Sequence, residues 1–512
     1  MEKVDNVGPS SGFHNRSTPT SVPWTEVLGP LSASVEKLRP AAPYIFHEML
    51  RKRHIALIVV IAAIVVVAGV WVYDQVASTG GGVSRSNLPA YCSSSAENGT
   101  GGNWTTYHGS NARTGNEPTS PITSVQKKWS TTLDGQVYAQ PLLCGNTIYV
   151  ATEQDSVYAV NATSGTILWQ VSLGTPVPAS DLPCGDIDPS GITGTPVIDL
   201  QNKVLYVVAF VTPVHHYLFG LDLTNGSVLS QVSVDPPNAT ADVEQQRGAL
   251  LLENGMVYIP YGGLYGDCGQ YHGYVLGVPT NGSSTVISYQ VPTQREGAIW
   301  GTAGFGVAAN GSLYVSTGNG ASDTTYDYGD SVIELSPALH FEESFAPSNW
   351  VQLNLGDTDL GSVAPTVLPN GDVFQIGKAG VGYLLSGTSL GGIGGQLGEQ
   401  NVCSGAYGST ARIGPTVYVP CTNGLFAVTT SSVNMTVTWA SPGIDAGSPI
   451  VTGNIIWTVD TNTATLHGYY VSNGTAFFSY PLGASDHFIS PAATSDALVV
   501  TGGSQLFSFS LS

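Results

Sequence analysis

The sequence predicts an all-β fold: an eight-bladed β-propeller of four-stranded blades, preceded by one transmembrane helix and a disordered N-terminal tail. Three observations carry this. From Trp104 to Ser512, short Val/Ile/Tyr/Leu runs alternate with turn dipeptides at intervals of about ten residues. Eight similar units begin near Ala139, Thr195, Ala249, Ala303, Val363, Ser409, Gly447 and Pro491, spaced 38 to 60 residues apart, the period of a propeller blade with variable loops. Charged residues make up only 10% of the 512 positions while Gly occupies 62, which disfavours long solvated helices.

In chain order, residues 1–53 are rich in Pro, Ser and Gly without a sustained period and read as a largely disordered tail. Ile55 to Tyr73 then runs IALIVVIAAIVVVAGVWVY without a charge, long enough to cross a bilayer as a helix, placed at 54–73. Arg51, Lys52, Arg53 and His54 precede it and Asp74 follows. By the positive-inside rule the N-terminus is cytoplasmic and everything after Asp74 lies outside, which makes this a single-pass protein of the cell membrane. Residues 74–103 form a loose linker, and 104–512 form the propeller.

Seven of the sixteen basic residues lie in the tail, so the exterior part is sparsely charged and acidic. The formal charge of −20 excludes nucleic acid as a partner, since a phosphate backbone needs clustered Lys and Arg. All six cysteines follow the apolar run, in an oxidising compartment, and sequence proximity pairs Cys403 with Cys421. Nine N-x-S/T sequons also lie there, at Asn98, Asn103, Asn161, Asn225, Asn238, Asn281, Asn310, Asn434 and Asn473. Several are N-G-S/T, which is also turn chemistry.

The clearest unit is PLLCGNTIYVATEQDSVYAVNATSGTILWQVSLG, Pro141 to Gly174, with strands at Thr147–Thr152, Ser156–Asn161 and Thr166–Ser172. A β-sandwich would not repeat Y-V, Y-A and G-x-x-x-W in phase, and a β-helix has a shorter period. The last unit ends at Ser512 without a tryptophan strand, whereas Val125–Ser130 stands spare ahead of the first. That strand is expected to complete the eighth blade and close the ring non-covalently.

The segment IYVATEQDSVYAVNATSGTILW resembles the repeat of the pyrroloquinoline quinone (PQQ) propellers, a superfamily holding quinoprotein alcohol dehydrogenases and the propeller of the outer-membrane assembly machinery. Trp104 to Gly115, WTTYHGSNARTG, resembles its opening. The resemblance implies the fold. In the dehydrogenases it also implies PQQ held with calcium by an Asn, a Glu, a catalytic Asp and a basic residue near the quinone oxygens.

Asn319, in Ser316-Thr317-Gly318-Asn319, resembles the calcium-binding Asn; Asp359, in Asp357-Thr358-Asp359-Leu360-Gly361, resembles the catalytic Asp; Lys378, in Gly377-Lys378-Ala379-Gly380, resembles the basic residue. A carboxylate and a lysine facing one channel suit proton abstraction and quinone polarisation. Two departures stand against an intact site. The chain has no adjacent Cys-Cys pair, and neither Glu244 nor Glu296 carries the motif of the calcium-binding Glu.

His215-His216, the Asp181/Asp186/Asp188 group and Arg295-Glu296 beside Trp300 read as structural features, and no Walker motif, G-x-S-x-G elbow or H-E-x-x-H is present. The expectation is therefore a membrane-anchored propeller without cofactor, acting as a binding or assembly scaffold for a protein or envelope glycan. The alternative is a PQQ- and calcium-dependent dehydrogenase of alcohols or sugars.

Overall fold

The computed structural model describes residues 103–283 and 285–512. The expected tail and transmembrane helix, and all of the linker but Asn103, lie outside these residues. Among the described residues no helix is long and apolar enough to cross a membrane.

Eight separate sheets of at least four strands are present, each an antiparallel meander apart from short parallel additions. In the first blade Leu142–Cys144, Thr147–Ala151, Ser156–Asn161 and Ile167–Ser172 pair in that order. The second strands of the following blades are Val204–Val211, Met256–Gly263, Leu313–Ser316, Val373–Gln375, Thr416–Cys421, Ile455–Asp460 and Ala497–Gly502.

Burial follows position within the blade. Thr147–Ala151 is buried throughout, while Ile167–Ser172 alternates between exposed and half-buried. An inner strand is covered on both faces by neighbouring blades and therefore reads as a continuous apolar run; an outer strand keeps the period-two pattern of a half-solvated sheet.

The ring closes as expected. Val125–Thr132 pairs antiparallel with Gln505–Leu511, so the chain's start supplies the outer strand of its last blade. Upstream, residues 104–117 run across one end of the channel. Trp104 bridges to Leu143 of the first blade, and Asn116–Glu117 adds a parallel strand to Val451–Thr452 of the seventh. Between them the Tyr107 hydroxyl lies 3.1 Å from Thr302, among Ser409, Ser448 and Ser490, side chains that belong to four different blades.

Cys403 and Cys421 are bonded, and a second bridge, Cys184–Cys268, joins loops of the second and third blades. Of the sequon asparagines, Asn161, Asn225, Asn281, Asn310 and Asn473 each accept a bond from the backbone N–H two residues on, so these sequons coincide with turns.

Candidate functional site

Strands alternate in direction, so the loops after the second strand of every blade lie on one face, and the turns between first and second strands lie on the other. Asn319 and Lys378 follow the second strands of the fourth and fifth blades, Leu313–Ser316 and Val373–Gln375. Asp359 precedes the short 3-10 turn Leu360–Ser362 that leads into the fifth blade. All three belong to the first of these faces.

The structure brings them together. Asp359 is 5% exposed. One carboxylate oxygen accepts from the Asn319 backbone N–H at 3.1 Å, and the other accepts from the Trp300 indole N–H at 3.0 Å while lying 3.1 Å from Lys378 Nζ. Lys378 also reaches Asp357 Oδ1 at 2.8 Å and lies 5.6 Å from the centre of the Trp300 ring. It is thus held between two carboxylates and an aromatic face.

The glycines of these motifs make the approach possible. A Cβ on Gly377 would stand 2.3 Å from the Asp359 carbonyl oxygen, and one on Gly361 would stand 2.5 Å from the Thr317 backbone. Any side chain there would push the two loops apart.

Sequence reasoning left the fourth polar member open. Glu296 supplies it: its Oε2 accepts from Asn319 Nδ2 at 3.3 Å, and its Oε1 pairs with Arg295. Glu244 accepts the His272 backbone N–H at 3.1 Å, and His272 in turn bridges to Glu296. No flanking motif marked Glu296, because its place depends on a bridge between its own backbone and Gly320. Trp300 was legible only as an aromatic beside an ion pair. The other singled-out groups form no further site: His215 pairs with Asp235 at 2.7 Å, His216 stacks on Phe210, and Asp188 caps the Ala179 N–H at 3.0 Å.

Burial raises the Asp359 carboxyl above its ordinary range, with Lys378 pulling partly the other way. Burial likewise raises Glu296, opposed by Arg295. Burial alone would lower Lys378, but Asp359 and Asp357 outweigh it and its ammonium is held more firmly protonated. Carboxylates tuned upward beside a fixed cation are the arrangement expected of proton-transfer sites.

Glu296, Asp359 and the Asn319 side-chain amide are hard oxygen donors of the kind calcium takes, and Asn319 links the two carboxylates through its Nδ2 and its backbone N–H. Among the described residues no three His, Cys, Asp or Glu side chains group as a metal site, so Asn319 is essential to such a set. The indole of Trp300 offers a stacking face. Tyr407 and Phe488 lie 6.4 and 6.0 Å from it, tilted by about 50°. The cavity between Tyr107, Tyr138, Arg247 and Phe488 holds about 10 Å³, room for one water. That cavity lies beside the site and does not include Asp359, Lys378 or Trp300; the polar groups of the site are of the kinds a quinone with a cation takes.

A model of the family described as outer membrane protein assembly factor BamB matches residues 122–266. Among solved structures, quinohemoprotein alcohol dehydrogenase from Comamonas testosteroni superposes with a TM-score of 0.61 at 15% identity, covering 80% of each chain. The fold is that of a PQQ-like propeller. A europium-containing methanol dehydrogenase gives a TM-score of 0.62 at 15% identity over 80% of this chain and 98% of that one. BamB from Moraxella catarrhalis gives 0.51 at 13% identity over 76% and 98%. No curated protein sequence matches the chain. At these identities the likeness speaks for the PQQ-like fold alone, and function rests on the site.

Proposed function

We propose that this PQQ-like propeller is a cofactor-dependent oxidoreductase of the quinoprotein kind, oxidising the hydroxyl of an alcohol or sugar on the outer side of a membrane. The observation that carries this reading is the convergence of Glu296, Asn319, Asp359 and Lys378 beside Trp300. A buried carboxylate held against a lysine beside an aromatic face suits proton transfer. The expected propeller without cofactor remains the second reading.

Glu296, Asn319 and Asp359 would hold the cation, and Trp300 would support the planar ring. Bound there, the quinone supplies a two-electron acceptor that the side chains lack. Asp359, its carboxyl raised by burial, takes the proton of the substrate hydroxyl. Lys378, held between Asp357 and Asp359, would donate a hydrogen bond to the cofactor.

A scaffold role is the second reading, favoured by the closed slot beside Trp300 and the absence of a Cys-Cys pair. Thermal unfolding of the detergent-solubilised full chain separates the two. PQQ with Ca²⁺ should raise Tm by several degrees, because a ligand bound only by the folded state stabilises it by mass action. Asn319→Ala should abolish the rise. No rise in the parent protein supports the scaffold instead.

A further inference from the structure

The face opposite the site carries exposed apolar side chains on several blades, Phe341, Leu397 and Val433 among them, and groups four on two neighbouring blades. Ile167 and Leu168 open the outer strand of the first blade, 40% and 53% exposed; Val228 and Leu229 open that of the second, 49% and 52% exposed. The two pairs are neighbours, since Trp169 covers Gly226 in the turn just before Val228 and donates its indole N–H to Leu223 O at 3.3 Å. A propeller rim that faces only water gains nothing from four aliphatic side chains there.

The same rim holds the exposed lysines. Lys203 lies in the turn between the first and second strands of the second blade, and Lys127 and Lys128 lie in the first half of the closing strand Val125–Thr132. These are the three exposed lysines of the described residues; the fourth lysine, Lys378, belongs to the site. In a chain with a formal charge of −20, all three lie on one face, on the eighth and second blades that flank the first.

The chain also leaves the propeller on this face. Asn103 accepts the Gly145 backbone N–H at 2.9 Å, in the first turn of the first blade. Residues 74–102 then connect to the apolar run Ile55–Tyr73.

We infer that this rim docks on the bilayer itself: Ile167, Leu168, Val228 and Leu229 enter the headgroup boundary while Lys127, Lys128 and Lys203 meet anionic lipid. Amphipathic surfaces of aliphatic and basic side chains bind interfaces in this way. The inference rests on reading 55–73 as the membrane anchor, and it places the site at Asp359 on the face turned away from the lipid, open to substrate from outside.

The test uses the full chain reconstituted in vesicles of phosphatidylcholine with phosphatidylglycerol. An environment-sensitive dye is attached at Leu168→Cys and, as the control on the site face, at Tyr265→Cys, a position 72% exposed. Lipids carrying a nitroxide near the headgroup should quench the dye at 168 several-fold more than at 265. The difference should shrink when phosphatidylglycerol is omitted, and in the triple variant Lys127→Gln, Lys128→Gln, Lys203→Gln.

Equal quenching at the two positions overturns the docking. So does a blue-shifted dye at 168 that nitroxide lipids do not quench, which marks a protein contact in place of lipid. Flotation of the same protein with vesicles in 1 M salt reports the anchor separately. A chain that floats without selective quenching loses only the docking; a chain that does not float loses the anchor.

Discussion

The indole of Trp129, in the strand that closes the last blade, lies over Gly165 in the first: a Cβ on that glycine would stand 2.7 Å from the ring, and the indole N–H donates to Ala162 O at 3.0 Å. Trp169 over Gly226 and Trp439 over Gly474 repeat the arrangement between later blades. The tryptophan and glycine of the repeat are therefore one latch, joining each such blade to the next. Only at Trp129 does the latch close the ring.

Trp129→Ala should lower unfolding stability by about 2 kcal/mol, less than a fully buried tryptophan would cost because this ring is half-exposed. Gly165→Val should do comparable damage by two routes, the positive φ of 75° and the collision with the ring. Chemical denaturation of the two single variants and the double variant checks this. If the latch is one unit, the double variant should cost clearly less than the sum.

The leading segment gives a second prediction. Among the described residues Arg113 is buried without an acidic partner; it donates to Thr106 Oγ1, to Tyr107 O at 3.0 Å and to Leu250 O at 2.8 Å, and burial pushes its guanidinium down to about 9. Arg113→Ala leaves those acceptors dry and removes the pin between the segment and the third blade. A loss of about 3 kcal/mol is expected, seen as an earlier thermal transition. Arg113→Lys should recover only part of it, because one ammonium cannot span the same three acceptors.

The third prediction concerns pH. Burial raises Glu117 and Glu153 to about 7, and Asp155 and Glu244 to about 8. Each folded carboxyl holds its proton more tightly than the unfolded one, so the stability it contributes is complete at low pH and is lost as pH rises through the folded value. Histidines with lowered values, such as His108 at about 3, act in the opposite direction only below about pH 6.5. Between pH 6.5 and 8 the acids therefore dominate. Calorimetry should show Tm falling steadily across that window, and Glu153→Gln together with Glu244→Gln should flatten the slope.

The blades were legible in the sequence because their inner strands are apolar runs of fixed spacing, and because the strand at Trp129 had no partner until Gln505–Leu511 needed one. Asn319, Asp359 and Lys378 were legible through the resemblance of their motifs to the PQQ propellers, and the glycines in those motifs are what the close approach of two loops requires. Glu296 was not, since its contact with Asn319 arises from an isolated bridge between loops of adjacent blades. Nor was the filling of the mouth by Phe488, a residue at φ 65° from the last blade that reaches Trp300 of the fourth. Contacts between blades distant in sequence leave no periodic signal.

The central claim is that Asp359 and Lys378 work on a substrate hydroxyl beside a bound quinone. The most direct measurement is reduction of an artificial electron acceptor by the full chain supplied with PQQ, Ca²⁺ and a primary alcohol, compared with Asp359→Asn and Lys378→Met. The account predicts turnover in the parent protein and a loss of about 100-fold or more in each variant, with both variants folded. Turnover no greater than that of the cofactor alone, or equal rates in the parent and both variants, would contradict it.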